Sequence, residues 1–232
     1  MAVSLALNPV ARPAPTLRER AYGSFTQHLM ARDLRAGQFI SQRELVELTG
    51  LPLGAIRELV PRLETEGLIR TVPKRGMQIA HVDINLIRDA FQFRLYLERE
   101  AVAQFASQAP DETIDRLRRE HQAIIAECEA AEAAGGIAED LVTRAQLTDW
   151  GMHMTIIDFV GNAIVADAYR VNAIKIRLIK QEQTRLSGSL VLPTMREHIA
   201  VIEAIASRDA SRAAAELGSH IMNARDRAMN LR

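Results

Sequence analysis

The sequence predicts a mainly α-helical protein, in which three short helices and a β-hairpin precede an antiparallel bundle of six or seven longer helices. Apolar residues recur every three or four positions through most of the chain, which is the spacing of helices with one buried face. Aromatic residues make up only 4% of the composition, so strands should be few. The 232 residues exceed the usual size of a small domain. We expect a loose tail over 1–16, a first domain over 17–82 and a helical domain over 84–230.

The first domain opens with two predicted helices. The first covers about 17–31, and its apolar side chains recur every four residues: Leu17, Ala21, Phe25 and Leu29. Gly37 lies in the break that follows. Ser41 and Glu44 then form a capping-box pattern, in which each side chain accepts the backbone N–H of the other residue. The second helix should therefore begin here and end at Gly50.

A third helix and a β-hairpin complete the first domain. The apolar face of this helix consists of Ile56, Val60 and Leu63. Gly67 is expected to end it. Two short strands are predicted at 68–72 and 77–82, around the basic turn Lys74-Arg75-Gly76. Three helices followed by a two-stranded wing form a winged helix-turn-helix, in which the helix after the turn enters the major groove of DNA.

The charge balance limits the partners of the chain. The formal net charge is zero, which argues against a protein that coats nucleic acid or membrane by bulk electrostatics. The basic excess is N-terminal. Residues 1–83 hold 11 Lys/Arg and 8 Asp/Glu, a net +3, whereas residues 84–232 hold 18 and 21, a net −3.

The sequence predicts neither a membrane segment nor a disulfide. No apolar run approaches the roughly 20 residues that cross a bilayer, and the first fifteen residues lack the basic-then-apolar order of a secretory signal. The one cysteine, Cys128, cannot form an intramolecular disulfide, and we expect it to be a small buried apolar side chain. A reducing cytoplasm is therefore the predicted location.

Six amphipathic helices are predicted in the second domain. Their expected ranges are 84–107, 111–133, 138–160, 163–187, 193–207 and 209–229. The breaks between them carry Pro110, Gly135-Gly136, Gly161-Asn162, Gly188 with Pro193, and Arg208-Asp209. An antiparallel bundle can bring side chains from distant helices together in its interior.

Four polar residues of these helices form the strongest candidate site: Asp149, His153, His198 and His220. Asp149 and His153 are four positions apart and so share one helix face. Three imidazoles and one carboxylate suit zinc, nickel or manganese, with zinc favoured, and leave positions for a ligand. Helix-packing histidines are the alternative. The remaining histidines are expected at the surface: His28, His81 and His121. Core packing is expected for Trp150, Met152 and Met154.

Three runs of the first domain carry a family resemblance: LRAGQFISQRELVELTG, IRELVPRLETEGLI and PKRGMQI. They resemble the N-terminal domain of the GntR family of bacterial repressors over about residues 17–82. The candidate DNA-contacting residues are Arg43, Arg57, Arg62, Lys74, Arg75 and Gly76. An arginine can bind guanine or phosphate through two parallel hydrogen bonds. The alternative for the helix arginines is a solvated face with Glu partners, such as Arg62 with Glu58 or Glu66.

The chain departs from this family in two places. Where the family usually has Ser-Arg-Thr-Pro at the start of the recognition helix, this chain has Pro52-Leu53-Gly54-Ala55, so Leu53 replaces a common base-contacting arginine. Pro61 lies inside the predicted helix, where it removes the amide that would bond to Arg57. We therefore expect a sequence preference that differs from that of typical relatives.

Three runs of the second domain carry another resemblance: LTDWGMHMTIIDFVGN, REHIAVIEAIASRDASRAA and SHIMNARDRA. They resemble the FCD sensor domain of the FadR subfamily, whose metal-binding members use an Asp-x-x-x-His, a His and a final His in this order. The resemblance implies that Arg94 faces an effector cavity; an ion pair with Glu98 is the alternative. Asn223, one turn beyond His220, would line the same pocket.

Together the resemblances imply a DNA-binding repressor that is controlled by a small carboxylate metabolite at a metal site. A homodimer that reads palindromic half-sites is expected. One alternative is a metal-dependent hydrolase, but the pattern supplies no general base beside the metal. Another is a helical domain that only mediates association. We predict a regulator and not an enzyme.

Overall fold

The computed structural model describes residues 15–182 and 188–230, and it separates the chain into two compact units, Met1–His81 and Val82–Arg232. The described chain is mainly α-helical with one small sheet, which confirms the predicted fold class. Two predictions lie partly outside the described residues: the tail, over 1–14, and the end of the seventh helix, over 183–187.

The described part of the N-terminal unit, from residue 15 onward, contains three helices and a three-stranded sheet. The helices are α1 (Leu17–Ala31), α2 (Gln42–Thr49) and α3 (Leu53–Thr65), and the strands are β1 (Phe39–Ile40), β2 (Ile69–Val72) and β3 (Gly76–Ile79). All strand pairs are antiparallel, in the order β1-β3-β2. The sequence predicted the hairpin of β2 and β3, but the segment of β1 was interpreted as a simple break.

The ends of the short helices follow from local chemistry. The backbone N–H of Glu44 donates to Ser41 Oγ at 3.1 Å while the Ser41 N–H donates to Glu44 Oε2 at 2.7 Å, so the predicted capping box is confirmed. Gly50 ends α2 with a φ of +66°, a conformation that glycine adopts without strain. α3 continues through Pro61, whose ring is exposed, so this helix accepts the loss of one backbone hydrogen bond.

The C-terminal unit contains the helices of the predicted bundle. They are α4 (Ile84–Gln108), α5 (Asp111–Ala133), α6 (Glu139–Phe159), α7 (Ala163–Glu182), α8 (Gly188–Ala206) and α9 (Ala210–Ala228). One predicted boundary is wrong: Pro193 was expected to begin a helix after a break, but it lies inside α8. The residues on either side of it, Leu192 and Thr194, are buried, so packing holds this turn of the helix in place.

α4 is the central helix of this unit, because it packs against α6, α7, α8 and α9, while α5 packs against α6 and α8. Inner-face residues of all six helices can therefore approach one region. Cys128 is buried in an apolar cluster with Ala145 and Met195, as predicted. None of the described helices combines the length and the apolarity that a membrane-spanning segment requires.

Candidate functional site

The four predicted metal ligands come together in the interior of the C-terminal unit. Asp149 and His153 lie on α6, His198 on α8 and His220 on α9, and all four are buried. One potential ligand atom from each lies within 4.8 Å of the others. His198 Nε2 is 3.2 Å from His220 Nε2 and 3.7 Å from Asp149 Oδ1. The bundle thus assembles one nitrogen-and-oxygen donor set from three helices.

A buried network on α4 orients His153. Its Nδ1–H donates to Glu98 Oε2 at 2.6 Å, which leaves the Nε2 lone pair pointing at the cluster. Glu98 also accepts hydrogen bonds from Arg94 and, at 2.7 Å, from the hydroxyl of Tyr169 on α7. Burial alone would raise the pKa of Glu98, but the charge of Arg94 and the hydrogen bond from His153 lower it to about 2. Glu98 is therefore an ionised acceptor at neutral pH.

His121 on α5 orients His198. The Nδ1 of His121 lies 2.7 Å from the carbonyl oxygen of Leu117, so this nitrogen carries the proton and donates it. His121 Nε2 is then an acceptor, and the Nδ1–H of His198 donates to it at 3.1 Å. The expectation that His121 lies at the surface is wrong, because its side chain is fully buried. His81 is exposed, and His28 is half-buried and bonds Asp33.

A carboxylate on α8 orients His220. The Nδ1–H of His220 donates to Glu197 Oε2 at 2.7 Å. Asn223 Nδ2 donates to Glu197 Oε1 at 3.1 Å, and Arg227 also pairs with this carboxylate. Burial would raise the pKa of Glu197, but the hydrogen bonds from His220 and Arg227 lower it to about 2. Glu197 was not predicted from the sequence, although it directly precedes a predicted ligand, His198.

Electrostatics favour a cation at the centre of the cluster. Burial lowers the pKa of His198 well below its usual range and that of His220 to about 4, so both imidazoles are neutral at pH 7. Because each uses its Nδ1–H in a hydrogen bond, the two Nε2 atoms face each other as lone pairs. Burial would raise the pKa of Asp149, but Lys180, 2.7 Å away, lowers it strongly. Two opposed lone pairs beside a carboxylate fit a divalent ion that accepts all three.

The residues also match the ligand chemistry of such an ion. Histidine ligands in metalloproteins usually donate their second ring N–H to a carboxylate, a carbonyl or another acceptor, which fixes the tautomer. All three histidines of the cluster do so here, to Glu98, His121 and Glu197. Three imidazoles and a carboxylate leave at least one position of a five- or six-coordinate ion for a ligand.

A cavity of about 330 Å³ adjoins the cluster on its α6–α7 side. Asp149, His153 and Arg94 form its inner end, and Tyr169, Asn172 and Lys180 of α7 add polar groups. Its remaining wall consists of Trp150, Met154, Ala173 and Ile176. Trp150 and Met154 were expected to be core packing; they border the cavity instead.

The two predicted effector-binding residues have different surroundings. Arg94 lines the cavity and also pairs with Glu98, so both alternatives for this residue describe real contacts. Its Nη2–H donates to His153 Nε2 at 2.5 Å. Asn223 is not among the residues that line the described cavity, and it bonds Glu197 behind His220 instead. Asn223 therefore helps to hold the carboxylate that orients His220.

The helix arginines of the N-terminal unit differ in exposure. Arg57 on α3 is exposed and forms no ion pair with any residue in the described part of the chain. Arg43 on α2 is 89% exposed and pairs with Glu47 at 3.2 Å. Arg62 pairs with Glu66 at 2.9 Å and stacks on the ring of Tyr22, with its guanidinium 3.7 Å from the ring centroid. These contacts favour the structural alternative for Arg62.

The predicted wing tip is the turn between β2 and β3. Lys74 and Arg75 are exposed there, and the Arg75 guanidinium lies 4.5 Å from the centroid of the Phe39 ring on β1. Gly76 has a φ of +89°, and a Cβ at this position would lie 3.0 Å from the carbonyl oxygen of Ile40. Glycine is therefore required here by the sheet itself.

Comparisons with known proteins cover both units. Residues 89–223 match the family model of the FCD domain. The chain is 24% identical over 200 residues to the Nta operon transcriptional regulator of Aminobacter aminovorans, an alignment that covers 85% of this chain and 87% of that protein.

Two solved structures have the same fold. E. coli McbR/YncC has a TM-score of 0.71 at 13% identity, over 90% of this chain and 95% of its own. A GntR transcriptional regulator from Rhodococcus sp. RHA1 has a TM-score of 0.72 at 14% identity, over 92% and 97%. At such low identities, the likeness to these two structures shows a shared fold and nothing more.

Proposed function

This chain belongs to the GntR family of transcriptional regulators, in the subfamily with a C-terminal FCD domain, and from this premise we propose that a small carboxylate, held at a divalent metal ion in the helical unit, controls its binding to operator DNA. The family consists of transcriptional regulators and not of enzymes. The proposed ion therefore serves ligand binding, and zinc is the proposed metal.

One observation carries the proposal: three buried histidines from three helices direct Nε2 at one point beside Asp149, and each has its Nδ1 held by a second group. Histidines that merely pack would also have their N–H groups bonded, but they would not direct three Nε2 atoms at one another beside a buried carboxylate. Glu98 and His121 are fully buried, and burial of such polar groups is unfavourable. A metal site compensates for this penalty, because the buried groups fix the orientation of its ligands.

The residues around the ion have separate roles in effector capture. When bound, the ion supplies a Lewis-acidic centre that coordinates a carboxylate. Arg94 adds an N–H at the inner end of the cavity, in reach of a second carboxylate oxygen once the His153 lone pair is engaged by the ion. Lys180 holds the outer oxygen of Asp149 and keeps that carboxylate ionised.

The N-terminal unit is proposed to bind operator DNA as a winged helix-turn-helix. Arg57 on the exposed face of α3 would reach base edges, while Arg43, Lys74 and Arg75 would contact the backbone or the minor groove. Leu53, 41% exposed at the start of α3, would offer apolar contact where the family usually has arginine. A homodimer that reads two half-sites, with repression relieved or strengthened by the effector, completes the proposal.

Elemental analysis tests the metal site. The full chain, loaded with zinc and passed through gel filtration, is expected to retain about one ion per chain. His198→Ala should lose it, while His81→Ala, which removes an exposed histidine of the other unit, should not. Equal zinc in the two variants would contradict the site, and no zinc in the wild type would favour a helical unit that only mediates association.

A gel shift tests the link to DNA. A DNA fragment selected by the wild-type protein from a random library is titrated with the zinc-loaded chain, with and without a panel of small organic acids. At least one acid is expected to change the apparent affinity in the zinc-loaded protein and not in His198→Ala. If no acid changes the affinity of the wild type, control by a carboxylate at this site is wrong.

A further inference from the structure

The cavity beside the metal cluster has an apolar outer wall. Beyond the inner end, the side chains that a ligand would meet are the Trp150 ring, the Met154 thioether, the Ala173 methyl group and the Ile176 hydrocarbon chain. Ile176 and Ala173 are three positions apart on α7, and Trp150 and Met154 four apart on α6, so the two helices face each other with apolar surfaces.

The polar groups of the cavity already have partners within the protein. Lys180 Nζ bonds Asp149 at 2.7 Å, the Tyr169 hydroxyl donates to Glu98 at 2.7 Å, and the Asn172 amide donates to the carbonyl oxygen of Ala90 at 3.0 Å. A second anionic group on a ligand would have to share the Lys180 cation with the Asp149 carboxylate, and it would lie close to that negative charge. That cost falls on a polyanion and not on a hydrocarbon.

One further cation lies near the outer wall. The Arg177 guanidinium is 4.0 Å from the centroid of the Trp150 ring, where the ring face attracts it, and Lys180 lies 5.3 Å from the same centroid. Burial lowers the pKa of Arg177. Arg177 is not among the residues that line the described cavity, and its stacking gives Trp150 a fixed ring orientation.

We infer that the effector is a compact monocarboxylate with an apolar body, and not a di- or tricarboxylate. This inference rests on the proposed function, since it takes the carboxylate to be held at the inner, metal-binding end. The body then lies against Trp150, Met154, Ala173 and Ile176. A wall of one aromatic ring, one thioether and two aliphatic side chains suits a short aliphatic or a single-ring acid.

Matched pairs of acids test the inference. Calorimetric titration of the zinc-loaded full chain compares hexanoate with adipate and butanoate with succinate, which differ only in a terminal methyl or carboxylate group. Hexanoate is expected to bind at least tenfold more tightly than adipate, which corresponds to about 1.4 kcal/mol. Trp150 is the only tryptophan of the chain, so its emission should change with hexanoate and provides a second measurement.

A pair of variants on one helix tests the wall. Ile176→Ala should weaken hexanoate binding severalfold without loss of zinc, whereas Ile164→Ala, at an 81% exposed position of the same helix, should leave it unchanged. Adipate binding as tightly as hexanoate would overturn the inference and leave the proposed function intact. If neither hexanoate nor butanoate binds the zinc-loaded wild type while another acid of the gel-shift panel does, the inference fails and the proposed function stands.

Discussion

The exposed arginines of the N-terminal unit and the buried cluster of the C-terminal unit differ in how much protein supports each functional side chain. Arg57 projects from α3 without an ion-pair partner among the described residues, and Arg43 has one exposed partner, Glu47. Each histidine of the cluster instead has a dedicated acceptor behind it, such as His121 behind His198. A side chain that meets a large polyanion can adjust on contact, whereas one that shares a small ion must be positioned beforehand.

This contrast predicts different consequences of substitution. Removing a support of the cluster should affect folding stability and metal affinity together, because buried charges and lone pairs lose their partners. Removing an exposed arginine should affect DNA affinity and leave stability almost unchanged.

Glu98→Ala is expected to cost the most. It removes a fully buried carboxylate that bonds Arg94, His153 and Tyr169, and it leaves the Arg94 charge buried without its main partner. Loss of one member of a buried ion pair typically lowers the free energy of unfolding by about 3–5 kcal/mol. Urea denaturation with excess chelator measures this in the absence of metal.

The matched control for this prediction is Glu100→Ala. Glu100 is exposed on the same helix, α4, so its removal should change the free energy of unfolding by less than about 0.5 kcal/mol. Similar losses in the two variants would mean that the buried network contributes nothing beyond an ordinary helix position, and the contrast between the two units would weaken.

His121→Phe tests whether a support that never touches the ion sets the metal affinity. The variant removes the acceptor of the His198 Nδ1–H, so this imidazole can take the other tautomer and rotate. Loss of such an outer hydrogen bond typically weakens metal binding about 10- to 100-fold. Competition with a chromophoric zinc chelator measures the affinity. His121→Gln, whose side-chain oxygen can still accept the N–H, should recover part of it; equal affinities in the wild type and both variants would remove His121 from the site.

Arg57→Ala is the corresponding test in the N-terminal unit. Loss of a base-contacting arginine is expected to cost about 1–3 kcal/mol of binding free energy, enough to abolish retention of a selected DNA fragment in a gel shift at moderate salt. Arg119→Ala removes the same charge from an exposed position of α5 and should bind DNA like the wild type. Thermal unfolding should not distinguish the two variants. Unchanged DNA affinity in Arg57→Ala would remove this residue from the interface.

Local patterns in the sequence predicted most of the fold. The capping box of Ser41 and Glu44 and the glycine at the end of α2 depend only on residues a few positions apart, and both predictions hold. β1 was missed because two residues, Phe39 and Ile40, are too few to show alternation, and they form a strand only because β3 offers hydrogen bonds. Pro193 was interpreted as a helix break because proline has a low helix propensity, and the sequence alone does not show its packing partners. In the folded chain, packing of the neighbouring residues keeps Pro193 inside α8.

The same distinction explains what could be predicted of the site. Asp149 and His153 share a helix face, so their proximity follows from their spacing, whereas His198 and His220 were expected to join them because an antiparallel bundle brings distant helices together. The resemblance to FCD domains pointed to the same four residues. His121 contributes to the cluster through one contact between α5 and α8. Such a contact depends on the angle at which the two helices cross, and this angle has no local signature. A buried histidine one helix turn from a carbonyl acceptor therefore looks like any other histidine in the sequence.

Arg43→Ala should have the smallest effect on stability and on DNA binding. It tests whether the two exposed arginines, Arg43 and Arg57, contact different parts of the DNA. Arg43 and its partner Glu47 are 89% and 64% exposed, so loss of this pair should change the free energy of unfolding by less than about 0.5 kcal/mol. If Arg43 neutralises a phosphate, the variant should bind all DNA sequences more weakly, and the slope of log affinity against log salt should fall in magnitude by about 0.9 for each phosphate that is no longer neutralised. Gel shifts at several salt concentrations give this slope. A weakened preference for the selected fragment at an unchanged slope would instead make Arg43 a base-reading residue, and the distinction between Arg43 and Arg57 would disappear.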